Sequence, residues 1–224
     1  MTSQAEFERR LHLGAFTIDN AFTSRWRSHE QMKSRREENT EATRAAILAT
    51  ARKHFARRGY SGAEITRIAA DARVTTGAVY HHFSGKRALF QAVAEQIEAD
   101  ILKTASAVEE TDPWLRMQAA FEKLIDLCAS PDVQRITFIE APQVIGPEAW
   151  RAIELRYAYG AMRQGLTALT AAKVVKPYPI DLVARTLLAL LHETSAEVAR
   201  SKHDPAVRRQ VSDLVKGVFG LLTR

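Results

Sequence analysis

The stretch that decides the fold is residues 75–83, with the sequence TTGAVYHHF. Thr75 suits the N-cap of a helix, because its hydroxyl can accept hydrogen bonds from the first free backbone N–H groups. Val79 and Phe83 lie on one side of such a helix and should anchor it. The other side carries the residues at positions i, i+1, i+4 and i+5, which are Thr76, Gly77, Tyr80 and His81. The stretch therefore predicts a short helix with an apolar inner face and a polar outer face.

A second short helix precedes this one. Ile65, Ile68 and Ala69 recur at helical spacing, and residues 72–74 form a tight connection. Two short helices joined by a turn of about three or four residues make a helix-turn-helix, here residues 64–83, whose second helix enters the major groove of DNA. Hydroxyl, phenol, imidazole and cationic groups can contact base edges and phosphates. The candidate DNA-contacting residues are Arg67, Thr75, Thr76, Gly77, Tyr80, His81, His82 and Lys86.

Positive charge is concentrated around this motif. Residues 35–87 contain eleven basic and five acidic residues, whereas residues 88–224 contain sixteen basic and seventeen acidic ones. The whole chain of 224 residues has a formal net charge of +6. A basic block on a neutral body is typical of a nucleic-acid-binding module. From charge alone, a solvated basic face without a partner is an equal alternative.

Helical periodicity continues through the rest of the chain and predicts an all-α fold. Proline follows a capping residue at positions 112–113, 130–131 and 204–205, which is typical of a helix start. Alternating strand patterns are absent from the sequence. The predicted helices are residues 41–58, 64–71, 75–82, 85–108, 113–130, 132–144, 147–173, 179–202 and 205–222.

Residues 43–90 resemble the DNA-binding domain of TetR-family transcriptional regulators. The resemblance rests on Ile47-Leu48, Phe55, Gly59-Tyr60 and the spacing Gly77-x-x-Tyr80-x-His82-Phe83-x-x-Lys86. It implies a three-helix helix-turn-helix DNA-binding domain over residues 40–100. A C-terminal effector-binding and dimerisation domain of roughly six helices would follow over residues 101–224, with helix 85–108 as the lever between them. The implied protein is a sequence-specific transcriptional regulator, a repressor that a small-molecule effector releases from a palindromic operator.

Three positions depart from the family pattern. Ala63 stands where a Thr or Ser usually caps the first motif helix, Arg73 replaces the usual glycine of the turn, and the serine before Lys86 is shifted to position 84. A missing cap costs about 1 kcal/mol, and a non-glycine residue at positive φ costs on the order of 1 kcal/mol. Alternatively, a residue just upstream of Ala63 caps the first motif helix. For Arg73 the alternatives are a turn of a different conformation or a contact of its side chain with DNA phosphate.

The C-terminal part offers candidates for the effector pocket and for a dimer interface. Residues 179–222 are apolar nearly all round, which indicates either a homodimer interface or a fully internal helix pair, and His192 is expected at that interface. As an alternative, the aromatic residues of the body belong to the hydrophobic core. Likewise, Glu140 is alternatively a carboxylate that is paired within the protein and has a structural role. The candidate pocket residues are Trp114, Phe138, Glu140, Trp150 and Tyr157.

The N-terminal residues 1–39 show weak periodicity. They are interpreted as an N-terminal extension or arm, with a short helix on the body as one alternative. A misassigned start is another, because Met32 directly precedes a basic run and translation could begin there.

Other classes of function have less support in the sequence. The patterns Glu-x-x-His, His-Glu-x-x-His, Gly-x-Ser-x-Gly and Gly-x-Gly-x-x-Gly are all absent, so we expect no enzyme, catalytic residue, metal site or cofactor. A protein that compacts nucleic acid non-specifically would spread positive charge over its whole surface. The single Cys128, the lack of a secretory signal and the lack of an apolar run of ~20 residues predict a cytoplasmic protein without a membrane segment.

Overall fold

The computed structural model describes the backbone of residues 20–223 and the side chains of residues 38–223. Within residues 20–223 the chain forms ten helices and no strand beyond one isolated bridge, so the predicted all-α fold is confirmed. The first four helices are α1 (Asn20–Gly62), α2 (Ile65–Asp71), α3 (Thr76–His82) and α4 (Lys86–Ser106). The body adds α5 (Pro113–Cys128), α6 (Pro131–Val133, π-helical Gln134–Glu140 and Ala141–Ile145 in succession), α7 (Pro147–Arg156), α8 (Ala158–Ala171), α9 (Ile180–Arg200) and α10 (Pro205–Leu222).

Helix α1 is longer than the sequence predicts. It begins at Asn20 and passes residue 40 without a break, so residues 20–39 are helical. The first part of the predicted N-terminal arm, residues 1–19, lies outside the described residues. Residues 45–224 form one compact unit, and every contact described below lies within it.

The helix starts follow the Asp-Pro pairs that the sequence singles out. The Asp112 carboxylate accepts hydrogen bonds from the backbone N–H groups of Trp114 and Leu115, at 2.8 and 2.9 Å, and caps α5. Asp204 caps α10 in the same way through the Ala206 N–H. These carboxylates satisfy backbone donors that have no partner inside the helix.

One predicted helix, residues 147–173, is wrong because the chain breaks at Tyr157 (φ −118°, ψ −124°) into α7 and α8. Gly160 makes this break possible. A side chain there would collide with the backbone carbonyl of Leu155, so only glycine lets the first turn of α8 lie against the end of α7.

A continuous apolar core joins the helix-turn-helix to the body. Phe55 of α1 and Phe90 of α4 are fully buried and pack edge to face with ring centroids 5.0 Å apart. Tyr60 contacts the same Phe90 ring at 5.3 Å. Helix α4 continues from this contact into the body through buried residues on one face, so a single helix runs from the motif to the body core.

Candidate DNA-binding surface and ligand cavity

Helix α3 has the two faces that its sequence predicts. The Thr75 hydroxyl accepts a hydrogen bond from the Ala78 N–H at 3.1 Å and caps the helix. Val79 is fully buried, whereas 54% of the Tyr80 side chain is exposed. Further outer-face residues are exposed or half-buried: Thr76, Gly77, His81 and His82. The polar side of α3 therefore faces solvent and is free to meet another molecule.

Two of the three departures from the family pattern are visible in the backbone of the motif. Glu64 takes the N-cap position of α2, and no side chain caps that helix. Arg73, in the turn between α2 and α3, has a φ of +58°, the left-handed region that favours glycine. The structure therefore has an uncapped α2 and a non-glycine residue at positive φ in the turn.

The two predicted cations of this surface are engaged within the protein. The Lys86 ammonium donates to the Ser61 carbonyl at 3.1 Å and lies 4.8 Å from the centroid of the Tyr60 ring. It thereby ties the start of α4 to the end of α1. Arg67 pairs with Glu64 at 3.1 Å, and both side chains are more than half exposed.

Helix α6 holds the end of α1 through side chains and backbone. The Glu140 carboxylate accepts a hydrogen bond from the Tyr60 N–H at 2.7 Å. The Arg135 guanidinium donates to the Ala56 carbonyl at 2.9 Å. Gly59, at φ +70°, turns the chain here, and an added Cβ would lie 2.5 Å from Glu140 Oε1. Glu140 is thus a paired structural carboxylate and not a residue of either cavity described below.

Arg52 connects three helices. Its Nε donates to Asp132 of α6 at 2.6 Å, and its Nη1 donates to Asp100 of α4 at 2.7 Å. Burial acts to raise the pKa of the Asp132 carboxyl, but hydrogen bonds from Ser130 and Arg52 outweigh burial and lower that pKa. This ion-pair cluster fixes α1 against both α4 and α6.

A large apolar cavity of about 280 Å³ lies in the body, among α4, α5, α8, α9 and α10. Ser106 and Arg116 are its only polar lining residues among those that the structure describes. The remaining lining is aliphatic, aromatic or thioether, with Met117, Phe121, Met162 and Phe219 among the larger side chains. Such a cavity suits an apolar organic ligand.

A second, smaller cavity of about 20 Å³ adjoins the first, because Ala158, Leu188 and Leu191 line both. It contains the polar groups that the large cavity lacks. These groups are the side chains of Glu98, Glu154, Tyr159, Cys128 and His192.

The titratable groups of the small cavity have shifted pKa values. Burial, together with the nearby Glu154 charge, raises the pKa of Glu98 to about 8. Burial lowers the pKa of His192 to about 4, and burial with the Glu98 charge raises the pKa of Cys128 to about 12. At neutral pH the cavity therefore holds a largely protonated Glu98 and an uncharged imidazole.

Of the five predicted pocket residues, Phe138 lines the small cavity, where its ring lies 4.0 Å from the His192 ring. Trp114 is buried against Phe219, at 5.3 Å between centroids, and Trp150 is buried in the core. Tyr157 is half-buried at the break between α7 and α8. Their placement agrees with the alternative that the body aromatics are core residues.

Two further residues line the small cavity. His192, which is expected at a dimer interface from its sequence context, is half-buried beside Phe138. Glu98 was not singled out, although the sequence carries a signal. It occupies a helical apolar face between Val93, Ala94, Ile97 and Ile101, where a carboxylate is out of place.

These features are those of a helix-turn-helix protein with an apolar cavity in its helical body. Residues 47–93 match the family described as bacterial regulatory proteins, tetR family, and residues 114–222 match the Tetracyclin repressor-like C-terminal domain. The chain belongs to the TetR family and is a DNA-binding transcriptional regulator. No helix among the described residues is long and apolar enough to cross a membrane.

Individual relatives agree with this assignment. The chain is 30% identical over 192 residues to the HTH-type transcriptional repressor AcnR of Corynebacterium diphtheriae, covering 80% of this chain and 93% of that repressor. It is 29% identical to the transposon Tn10 TetC protein of Escherichia coli, covering 69% and 79%. The crystal structure of a TetR-family regulator from Pectobacterium atrosepticum superposes with a TM-score of 0.65 at 29% identity, covering 84% of this chain and 97% of that one.

Proposed function

We propose that this regulator is a repressor that binds a palindromic operator as a homodimer and is released by a small-molecule effector. The observation that carries the proposal is the exposed polar face of α3, which stands on a fully buried inner face. The repressor role is proposed because relatives such as AcnR of Corynebacterium diphtheriae are transcriptional repressors.

DNA contact is proposed for the N-terminal half of α3 first. Thr75, Thr76 and Gly77 come at the helix start, which is the part of a recognition helix that meets base edges. An added Cβ on Gly77 would approach nothing closer than the Thr75 hydroxyl at 3.8 Å, so packing does not require a glycine there. Close approach of a DNA backbone or base would require one.

Tyr80, His81 and His82 are proposed as phosphate contacts farther along α3. Arg67 and Lys86 contribute positive charge beside them, although each already has a partner within the protein. A competing phosphate would exchange with the Ser61 carbonyl at Lys86 or with Glu64 at Arg67. At Lys86 the phosphate would replace a neutral carbonyl acceptor with an anionic one, whereas at Arg67 it would replace one anion with another.

Dimerisation is proposed through α9 and α10. Leu214 and Leu221 of α10 are 57% and 69% exposed, and Gly217 and Val218 lie between them on the same face. Leu182 of α9 is 54% exposed as well. Large exposed leucines that line one helix face are typical of a surface covered by a second chain.

Effector binding in the body is proposed to reach the motif through α4 and α6. Helix α4 lines both cavities through Glu98 and Leu102 and also begins at Lys86 beside the motif. Helix α6 contributes Phe138 to the small cavity and Glu140 to the end of α1. A ligand that moves either helix would change the spacing of the two recognition helices, and coupling of this kind is reciprocal.

The test selects bound duplexes from a random pool and then compares variants by mobility shift. Thr76→Ala/Tyr80→Ala should weaken operator binding at least 30-fold, because it removes groups that contact bases and phosphates. The matched control Thr167→Ala/Tyr178→Ala removes the same residue types from the body and should bind like wild type. Light scattering and circular dichroism confirm that both variants remain folded and assembled.

The selected sequences decide between specific and non-specific binding. A palindromic consensus with half-sites about one helical turn apart, roughly 34–36 Å, supports a dimeric operator-binding protein. Binding that random duplex competes away equally well at physiological salt would instead indicate a nucleic-acid-compacting protein. An unchanged shift for Thr76→Ala/Tyr80→Ala would remove α3 from the interface.

A further inference from the structure

We propose that the effector is a primary ammonium compound with an apolar body, whose ammonium group is bound by Glu98 in the small cavity. The apolar body would occupy the adjoining large cavity. This inference rests on the proposed function, because it names the chemical class of the ligand for the proposed effector site.

The first observation is that the Glu98 carboxyl group is buried and has no partner among the residues that the structure describes. Only 6% of the residue is exposed, it lines the small cavity, and it forms no hydrogen bond or ion pair with any other residue that the structure describes. A buried carboxyl group without a hydrogen-bond partner is costly in either protonation state, so natural proteins normally pair such groups. The unused hydrogen-bond acceptors of Glu98 therefore point to a donor that comes from a ligand.

The surroundings of Glu98 determine the sign of the charge that this ligand carries. Facing it across the cavity are Glu154 from α7, Cys128 from α5, Tyr159 from α8 and His192 from α9. None of the described lining residues is a lysine or an arginine. Two carboxyl groups and an imidazole that burial keeps neutral favour a cation and disfavour an anion.

The size of the small cavity determines the kind of cation. A volume of about 20 Å³ admits one group the size of a water molecule. A primary ammonium group has that size and donates three hydrogen bonds, whereas a trimethylammonium group is several times larger. The Phe138 and Tyr159 rings also line the space and can stabilise a cation.

A bare metal ion is a poor match for this site. Among the residues that the structure describes, no group of three or more His, Cys, Asp and Glu side chains is arranged to hold a metal. The cation is therefore organic, and its apolar remainder must leave the small cavity through the shared wall at Ala158, Leu188 and Leu191. The large cavity beyond that wall, about 280 Å³ and mostly apolar, accepts such a remainder.

The experiment compares two probes of the same size by titration calorimetry at pH 7.5. The amine 4-phenylbutylamine carries the ammonium group, and 4-phenylbutan-1-ol is its uncharged counterpart. We expect the amine to bind at least tenfold more tightly to the wild-type protein. Glu98→Gln should abolish that preference, because glutamine keeps the shape of the side chain but cannot carry the negative charge that pairs with an ammonium group. Glu109→Gln, which changes an exposed carboxylate, is the matched control and should retain the preference.

Proton release provides a second readout. Glu98 binds a proton in the free protein below about pH 8, and it must lose that proton to pair with the ammonium group. Amine binding at pH 7 should therefore release close to one proton, measured by repeating the titration in buffers of different ionisation enthalpy. The affinity should rise with pH up to about 8, and neither effect should occur in Glu98→Gln.

Three results would overturn the inference: equal affinity for amine and alcohol, undiminished amine affinity in Glu98→Gln, or no amine binding at all. A mobility shift with the selected operator then separates the two proposals. If the amine binds through Glu98 but does not release the DNA, the ligand class is correct and the proposed release by effector is wrong.

Discussion

The Oε2 atom of Glu140 lies 2.7 Å from the backbone nitrogen of Tyr60, a residue 80 positions earlier in the chain. The contact joins the π-helical segment of α6 to the end of α1. Gly59, the residue before Tyr60, has a φ of +70°, and its Cα faces the same Glu140 carboxylate. The DNA-binding motif and the body are therefore connected by a hydrogen bond that a small displacement of α6 would break.

Gly59→Ala should lower the free energy of unfolding by about 2 kcal/mol or more, because alanine is strained at positive φ and its Cβ would lie 2.5 Å from Glu140. Urea denaturation at pH 7 measures the change. Gly220→Ala is the matched control. Gly220 is helical and its added Cβ meets nothing within 4 Å, so this variant should be neutral or more stable by up to about 1 kcal/mol.

The double variant Gly59→Ala/Glu140→Ala separates backbone strain from the collision. If the collision with the carboxylate causes part of the stability loss in Gly59→Ala, the effects of the two substitutions will not be additive. The double variant will then lose less free energy of unfolding than the sum of the two single losses. Strict additivity would show that only the backbone conformation matters.

Arg73→Gly should raise the free energy of unfolding by roughly 0.5–1 kcal/mol, because glycine relieves the positive φ of +58° at a modest entropic cost. Thermal and urea denaturation measure it. Arg73→Ala removes the same guanidinium but leaves a non-glycine residue at positive φ, so this variant should be no more stable than the wild type. A loss of stability in Arg73→Gly would mean that the arginine side chain, not the backbone, dominates at this turn.

Asp132→Asn should destabilise the protein by about 1–3 kcal/mol at pH 7, because Arg52 loses one of its two carboxylate partners. The folded pKa of Asp132 is lowered, so its contribution is present above the unfolded value near pH 4 and is lost as pH falls through the folded value. The stabilities of the two proteins should therefore converge once the pH falls below the folded pKa of Asp132. Asp213→Asn, which changes an exposed carboxylate, is the matched control and should leave the stability at pH 7 close to that of the wild type.

Glu98→Gln should stabilise the unliganded protein, and more so as the pH rises. Because the folded pKa of Glu98 is raised to about 8, the folded state of the wild type loses stability from the unfolded value near pH 4 up to that pH. Glutamine does not titrate, so the gain should grow from near zero at pH 4 to roughly 2–5 kcal/mol at pH 9. A gain that is independent of pH would indicate that ionisation of Glu98 is not responsible.

Leu214→Glu/Leu221→Glu should convert the protein to monomers, because it places two charges on the apolar face of α10. Sedimentation velocity at micromolar concentration measures the assembly state. Leu115→Glu is the matched control, since Leu115 is also about half exposed but lies at the start of α5. Dimers that persist in the double variant would place the interface elsewhere.

Periodicity and capping residues predicted most of the fold. The apolar positions of α3 and α4 repeat at helical spacing, and Asp112 and Asp204 mark helix starts through local chemistry. Local signals of this kind can be read without knowing what packs against them. The break at Tyr157 could not be predicted in this way, because it depends on the contact of Gly160 with Leu155.

The site was only partly predictable for the same reason. The exposed face of α3 follows from its own sequence, since Val79 and Phe83 define the buried side. The large apolar cavity forms only where five helices meet, and sequence alone does not indicate which aromatic residues border a space and which fill the core. Residue type predicts Glu140 and Trp114 as cavity residues, and in the structure their side chains contact Tyr60 and Phe219.

The unbroken course of α4 has a mechanical consequence. Residues 86–106 contain neither glycine nor proline, so Glu98 and Lys86 belong to one stiff rod. Twelve residues of helix span about 18 Å. If α4 tilted by about 10° about Glu98, its Lys86 end would move by roughly 3 Å. In the proposed dimer, opposite tilts of the two α4 helices would change the distance between their Lys86 ends by about twice that amount. Successive major grooves on one side of DNA are about 34 Å apart. A change of this size in the separation of two recognition helices is enough to prevent both from fitting their grooves at once.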